Sequence, residues 1–141
     1  VEKDSNLPFG STPLALPLLM AKILIIDDDP FILDMYVLKF KERGFEVETA
    51  ADAKAGLKLL KEKPPELVLL DIVMPMMDGF AALREIKEAK PPFPGKVVML
   101  TNLGQKEDVE RAMQMGADDY IIKAHFTPTE VVDKVEDLLR K

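Results

Sequence analysis

Residues 66–79 read Glu-Leu-Val-Leu-Leu-Asp-Ile-Val-Met-Pro-Met-Met-Asp-Gly, and this stretch decides the fold. The apolar run 67–70 ends abruptly in an acid, Asp71. Strands of a parallel sheet are buried on both faces and therefore read as continuous apolar runs. Ligands bind in the crevice beyond their carboxyl ends. A lone acid here is best interpreted as a residue that caps a turn, so the rest of the chain decides whether Asp71 has a chemical role.

Composition limits the possible classes of protein. The chain has 141 residues, 48% of them hydrophobic and 31% charged, which fits one globular domain. The net charge of −6 disfavours direct binding to nucleic acid or to an anionic membrane, because both require a basic patch. The absence of cysteine excludes disulfides and thiolate chemistry and fits a cytoplasmic protein. No apolar run approaches the roughly 18 residues of a membrane span.

The first 19 residues differ from the rest of the sequence. Prolines at positions 8, 13 and 17 interrupt any helix or central strand. Met20 stands two residues before the first predicted strand and resembles a natural start. We expect residues 1–19 to be an artificial or loosely ordered leader, and residues 20–141 to form the domain. The alternative is an apolar tail that docks on a neighbouring surface.

The remaining sequence alternates strands and helices five times. Strands are predicted at 22–26, 45–49, 67–70, 97–100 and 120–122, and helices begin near residues 30, 52, 79, 105 and 128. Strict alternation with right-handed crossovers predicts an α/β fold, a doubly wound five-stranded parallel sheet of order 2-1-3-4-5. The first helix is expected to face the core with Phe31, Ile32, Met35 and Leu38.

Five chemically capable side chains directly follow predicted strands: Asp27, Asp28, Asp71, Thr101 and Lys123. Clustered carboxylates repel one another and therefore favour a bound cation. Oxygen ligands suit Mg²⁺, which commonly takes one or two carboxylates together with phosphate oxygens. Asp28 and Asp71 are predicted as direct ligands and Asp27 as a ligand through water, with Lys123 offsetting the remaining charge.

The motifs around these residues are specific. They are Ile-Ile-Asp-Asp-Asp-Pro after the first strand, Leu-Leu-Asp-x-x-Met-Pro-x-Met-Asp-Gly around Asp71, Met-Leu-Thr at the fourth strand, and Gly-Ala-Asp-Asp-Tyr-x-x-Lys at the fifth. With them, residues 20–141 resemble the receiver domain of a response regulator of two-component signalling, of the single-domain chemotaxis type. The resemblance implies a flavodoxin-like (βα)5 fold and a phosphorylated signalling module that is not an enzyme.

The resemblance also implies a role for each site residue. Asp71 would accept a phosphoryl group from a phosphohistidine of a sensor kinase or phosphotransfer protein. The backbone carbonyl of Val73 would be a further Mg²⁺ ligand. Thr101 and Lys123 would bind phosphoryl oxygens, and Tyr120 would be the aromatic switch. The signal would pass to a downstream protein through the face formed by helix 4, strand 5 and helix 5, from a monomer or a phosphorylation-dependent dimer.

Two positions depart from the family pattern. The family usually has proline after the lysine, often with a cis peptide bond, and here Ala124 stands there. A cis bond before alanine costs about 2.5–4 kcal/mol, so this bond is either trans, with Lys123 placed differently, or cis and strained. The family often has a small residue after the threonine, where this sequence has Asn102. Asn102 would either narrow access for the phosphodonor or add a hydrogen bond.

Two functions of other classes compete with this one. The first is a phosphatase that uses Asp71 as its nucleophile. Such hydrolases usually carry a second acid two residues later, and here Val73 occupies that position. The second is a nucleotide or flavin binder, for which the sequence lacks both a G-x-G-x-x-G and a P-loop motif.

Overall fold

The computed structural model describes residues 21–141. The leader predicted at residues 1–19 and the start at Met20 lie outside these residues. The strands are β1 (Lys22–Ile26), β2 (Glu46–Ala50), β3 (Leu67–Leu70), β4 (Lys96–Thr101) and β5 (Asp119–Ile122). The α-helices are α1 (Pro30–Glu42), α2 (Ala53–Glu62), α3 (Gly79–Glu88), α4 (Lys106–Gln114) and α5 (Pro128–Arg140), and a 3-10 turn, Lys123–His125, follows β5.

The sheet confirms the predicted topology. All four strand pairs are parallel, and the order is β2-β1-β3-β4-β5. In β1, Ile26 pairs with Ala50 on one side and with Leu70 on the other. The strands β1 and β3 therefore end side by side, and the residues that follow them meet at the carboxyl edge of the sheet.

Helices cover both faces of the sheet, as the alternating pattern requires. One core cluster lies under α2, α3 and α4 and includes Leu57, Leu83 and Ala112. The other lies under α1 and α5 and includes Phe40 and Val135. The apolar runs of the strands are buried because each strand contributes side chains to both clusters. Buried apolar clusters on both faces of the sheet therefore support its carboxyl edge.

The prediction for the inward face of α1 is confirmed for Ile32, which packs against the core, and is wrong for Phe31, Met35 and Leu38. Tyr36 and Phe40 are the buried residues of this helix, whereas Phe31 is 85% exposed and Leu38 58% exposed. Nearly every side of α1 carries an apolar residue, so its sequence is compatible with more than one buried face. Packing against β2 and α5 selects the face of Tyr36 and Phe40.

The helix starts hold as the sequence predicts. Asp29, Asp52 and Asp78 each accept a hydrogen bond from a backbone N–H in the first turn of the following helix. Thr127 and Glu130 form a reciprocal capping box at the start of α5. Within residues 21–141, every helix is too short or too polar to cross a bilayer.

Candidate functional site

Three carboxylates meet where β1 and β3 end. Asp27 follows β1 and Asp71 follows β3, and the Asp71 N–H donates to the carbonyl of Ile26 at 3.0 Å. Oxygen atoms of Asp27, Asp28 and Asp71 lie within 4.8 Å of one another. Asp27 and Asp71 are buried, while Asp28 is exposed. The structure therefore brings the three acids predicted from the strand exits into one cluster.

The carboxylate of Asp71 has a defined orientation. Its Oδ1 accepts hydrogen bonds from the backbone N–H groups of Ile72 at 2.7 Å and of Val73 at 3.4 Å. Its Oδ2 lies 3.3 Å from Nζ of Lys123. One oxygen is thus held by the loop that follows β3, and the other faces the lysine.

Lys123 joins the two buried acids from the end of β5. Its Nζ lies 2.5 Å from Oδ2 of Asp27, closer than its 3.3 Å contact with Asp71. Burial acts to lower the pKa of Lys123, but the hydrogen bond to Asp27 and the charge of Asp71 outweigh burial and raise the pKa above its ordinary value. The ammonium group is therefore retained at neutral pH. Three carboxylates still surround a single ammonium, so the site keeps a net negative charge.

Burial has the opposite consequence for Asp27. It raises the pKa of this carboxyl, while the hydrogen bonds from Lys123 and from the Asp29 N–H act to lower it. Burial is the larger effect, so the ionised form of Asp27 is held at a cost. A cation beside Asp27 would relieve that cost.

The peptide bond between Lys123 and Ala124 is trans, and the Lys123 side chain contacts Asp27 and Asp71. The cis bond in the described part of the chain is Lys90–Pro91, so Lys123–Ala124 is trans. Of the two possibilities left open by the sequence, the unstrained one holds. A 3-10 turn starts at Lys123, and from this turn the side chain contacts both acids.

Thr101 and Tyr120 meet at the loop between β4 and α4. Thr101 is fully buried, and its Oγ1 accepts a hydrogen bond from the Leu103 N–H at 3.3 Å. The Tyr120 hydroxyl donates to the carbonyl of Leu103. Burial, followed by the charges of Asp108 and Asp71, raises the pKa of Tyr120 to about 12. Thr101 and Tyr120 thus both form hydrogen bonds with the backbone of Leu103.

An open cleft of about 320 Å³ lies over Asp71. Its lining consists of Asp71, Val73, Thr101, Asn102, Leu103 and Lys123. A larger cleft of about 510 Å³ lies at the opposite edge of the sheet, between the ends of α2 and α3 and the proline-rich loop. The smaller cleft brings Asp71 of the acid cluster together with a lysine and a hydroxyl, so it is the chemically competent one.

The acid cluster suits a hard divalent cation. It offers carboxylate oxygens from Asp27, Asp28 and Asp71, and oxygen is the donor that Mg²⁺ prefers. The buried, incompletely compensated charge gives a physical reason for a cation there. Val73 lines the same cleft, as expected for a residue whose carbonyl is predicted to be a further ligand.

Gly79 is a residue whose structural role the sequence analysis missed. Its N–H donates to the carbonyl of Ile72 at 2.8 Å. A Cβ atom at position 79 would lie 2.6 Å from Cα of Ile72 and closer still to the Asp71 carbonyl oxygen. Glycine therefore allows the start of α3 to pack directly on the backbone that carries Asp71.

Comparison with known families decides the identity of the fold. The family model for the response regulator receiver domain matches residues 23–136. The chain belongs to this family. The architecture of the receiver domain is also found in a solved structure, a CheY-like response regulator receiver domain protein from Methanospirillum hungatei JF-1. That structure is 33% identical with a TM-score of 0.79, over 86% of this chain and 94% of the other.

Two further relatives extend the comparison of the receiver domain. The BeF3-activated N-terminal receiver domain of RstA from Klebsiella pneumoniae is 27% identical with a TM-score of 0.77, over 85% of this chain and 99% of that one. The DNA-binding dual master transcriptional regulator RpaA of Synechocystis is 37% identical over 122 residues, which are 86% of this chain and 50% of RpaA. The chain thus spans about half the length of the curated relatives it matches.

Proposed function

We propose that this receiver domain accepts a phosphoryl group on the carboxylate of Asp71, from a phosphohistidine of a sensor kinase or phosphotransfer protein. The observation that carries the proposal is the bridge formed by Lys123 between Asp27 and Asp71, at the base of an open cleft. It places a nucleophile beside a fixed positive charge and within reach of solvent. Membership of the receiver family supports the same assignment.

The proposed step forms one bond and breaks one. Oδ2 of Asp71 attacks the phosphorus atom, since Oδ1 is already engaged by two backbone N–H groups. The bond between phosphorus and the donor nitrogen breaks, its electron pair returns to the imidazole, and an aspartyl phosphate forms. Phosphoryl transfer depends mainly on positioning and charge stabilisation, and the fixed orientation of Asp71 supplies the first.

Lys123 supplies part of the charge stabilisation, and a bound divalent cation would supply the rest. The 3.3 Å contact between Nζ and Asp71 is long enough to be exchanged for a new phosphoryl oxygen, while the shorter contact with Asp27 keeps the lysine in place. We propose that Asp28 and Asp71 bind Mg²⁺ directly, with the Val73 carbonyl as a further ligand and Asp27 bound through water. A bound Mg²⁺ would neutralise charge on the transferred group.

Thr101 and Tyr120 carry the conformational response in this proposal. The Thr101 hydroxyl can exchange its contact with the Leu103 N–H for a phosphoryl oxygen. Loss of the contact with Thr101 would allow Leu103 to move. Such a movement would also affect Tyr120, because the Tyr120 hydroxyl donates to the Leu103 carbonyl. The affected surface is the face of α4, β5 and α5. We propose that a downstream protein binds this face and thereby detects phosphorylation. The domain itself would be a monomer or a phosphorylation-dependent dimer.

The setting of the domain is also part of the proposal. We place it in the cytoplasm as a signalling module whose own turnover is limited to its phosphorylation and dephosphorylation. RpaA is described as DNA-binding, but the present chain covers half of that protein and carries a net charge of −6. We therefore assign no nucleic-acid contact to the receiver domain itself.

Incubation with acetyl phosphate tests this function against a hydrolase. With Mg²⁺, intact-mass spectrometry should show a single phosphoryl adduct on most of the protein, and phosphate should be released only at the rate at which this adduct decays. With a chelator present, the adduct should not accumulate. Rapid release of phosphate over many turnovers without an accumulated adduct would instead show a phosphatase. Labelling that is unaffected by the chelator would remove Mg²⁺ from the account.

A further inference from the structure

The sheet ladder between β4 and β5 includes Thr101 but ends before Lys123, the other residue proposed to bind the phosphoryl group. Its last pair joins Thr101 to Ile122. Beyond it, the chain on one side enters the loop to α4, and on the other side it enters the 3-10 turn that starts at Lys123. Backbone pairing therefore does not fix the position of the lysine turn relative to the threonine loop.

One side chain spans this gap. Oδ1 of Asn102 accepts a hydrogen bond from the Ala124 N–H at 3.0 Å. Asn102 directly follows Thr101, and Ala124 directly follows Lys123. The bond thus takes the place of the next rung of the ladder and joins the two residues adjacent to the phosphoryl-binding pair.

Each end of the bond requires the residue that the sequence has. A proline at position 124 would have no N–H to donate, and a small apolar residue at position 102 would have no oxygen to accept. These are the two positions at which the sequence departs from the family pattern. Because the bond depends on both residues, the departures are explained as one matched pair.

We infer that Asn102 is a positioning residue, which fixes the Lys123 turn against the Thr101 loop across a trans peptide bond. The inference rests on the proposed function, since its consequence is the geometry of the phosphoryl-binding groups. The loop is also tied to β5 through the bond between Tyr120 and Leu103. With both ties in place, Thr101 and Lys123 approach a phosphoryl group as one unit.

The direct consequence is for the rate of phosphorylation. Asn102→Ala should slow labelling by acetyl phosphate several-fold, on the order of fivefold, which corresponds to the net contribution of one neutral hydrogen bond. Asn102 is exposed, so its replacement should leave the fold intact. Gln105→Ala is the matched control, because Gln105 is an exposed amide of the same loop without a side-chain capping bond. It should label at the wild-type rate.

A double-mutant cycle with Ala124→Pro identifies the partner. Proline removes the donor, and it also strains Lys123, because a residue before proline disfavours the helical conformation. That strain is present both in Ala124→Pro alone and in the double variant with Asn102→Ala, so it cancels when these two variants are compared. Asn102→Ala should therefore slow labelling in the wild-type background and have little further effect beside Ala124→Pro. Amide hydrogen exchange of Ala124, measured by NMR, should accelerate in Asn102→Ala and not in Gln105→Ala.

Each remaining outcome is decisive. The inference would be overturned if Asn102→Ala labels at the wild-type rate. It would also be overturned if this change slows labelling equally in the wild-type and Ala124→Pro backgrounds. Both outcomes would leave the proposed function in place. Unchanged exchange at Ala124 would show that the bond is not made, with the same consequence. A wild-type protein that acquires no adduct would overturn the proposed function first, and the inference with it.

Discussion

Gly79→Ala tests whether the start of α3 holds Asp71 in place. In an ordinary helix this change stabilises by up to about 1 kcal/mol. Here the new Cβ would lie 2.6 Å from Cα of Ile72, whereas carbon atoms prefer separations of about 3.5–4.0 Å. The helix and the loop after β3 must therefore separate by about 1 Å. The neighbouring atoms are backbone, so a rotamer change cannot relieve the contact.

The expected cost follows from this contact. Because backbone atoms cannot move aside by a rotamer change, we expect an overpacking cost in the upper part of its usual range, about 2–3 kcal/mol. Subtracting a gain in helix propensity of up to about 1 kcal/mol leaves a net loss of about 1–2 kcal/mol. For a domain of this size that loss corresponds to a Tm that is lower by roughly 4–8 °C. Because the displaced backbone carries Asp71, labelling by acetyl phosphate should also slow under conditions in which the variant is fully folded. Thermal unfolding by circular dichroism and intact-mass labelling measure the two effects.

Ala81→Gly is the matched control for this prediction. Ala81 is exposed on the same helix, so glycine there removes helix propensity, at a cost of about 1 kcal/mol, without touching Asp71. It should lower Tm and leave the labelling rate of the folded protein unchanged. Gly79→Ala with an unchanged or higher Tm, or with wild-type labelling, would refute the close-packing argument.

Three further predictions follow from the site and the chain ends. Asp28→Ala should lose Mg²⁺ binding yet melt no lower than wild type without metal, because an exposed charge is removed from a repelling cluster; an unchanged Mg²⁺ titration would contradict the ligand assignment. Burial raises the pKa of both tyrosines, Tyr36 and Tyr120, the latter from 10.0 to about 12. Tyrosinate absorbance at pH 11 should therefore be lower in native protein than in unfolded protein, and stability should fall as pH rises from about 10 to about 12 because the unfolded chain releases these protons first; native absorbance equal to that of unfolded protein would refute this prediction. A chain that starts at Met20 should keep its Tm and labelling rate, and a drop of several degrees would show that residues 1–19 pack on the domain.

The sequence predicted those features that depend on strand exits. Continuous apolar runs identify strands buried on both faces, and strict alternation determines their order. Asp27, Asp71, Thr101 and Lys123 each follow such a run directly, so the topology alone brings them to one edge. These predictions needed no knowledge of side-chain packing, which is why the structure confirms the fold and the clustering of the acids.

Features that depend on tertiary contacts were not accessible in the same way. The apolar residues of α1 fit several inward faces, and only contact with the sheet and α5 selects Tyr36 and Phe40. Asn102 was expected to add a hydrogen bond or to narrow the site, but its partner depends on the 3-10 turn after β5. That turn also explains how Lys123 reaches the acids without a cis bond.

The identity of the phosphorylated residue is the most direct test of the account. Wild-type protein would be labelled with acetyl phosphate and Mg²⁺, reduced with borohydride to convert an aspartyl phosphate to homoserine, and mapped by peptide mass spectrometry. We predict homoserine at position 71 alone, and an unlabelled Asp71→Asn variant with a wild-type circular dichroism spectrum. Homoserine at position 27 or 28, or full labelling of Asp71→Asn, would contradict the assignment of Asp71 as the phosphoacceptor.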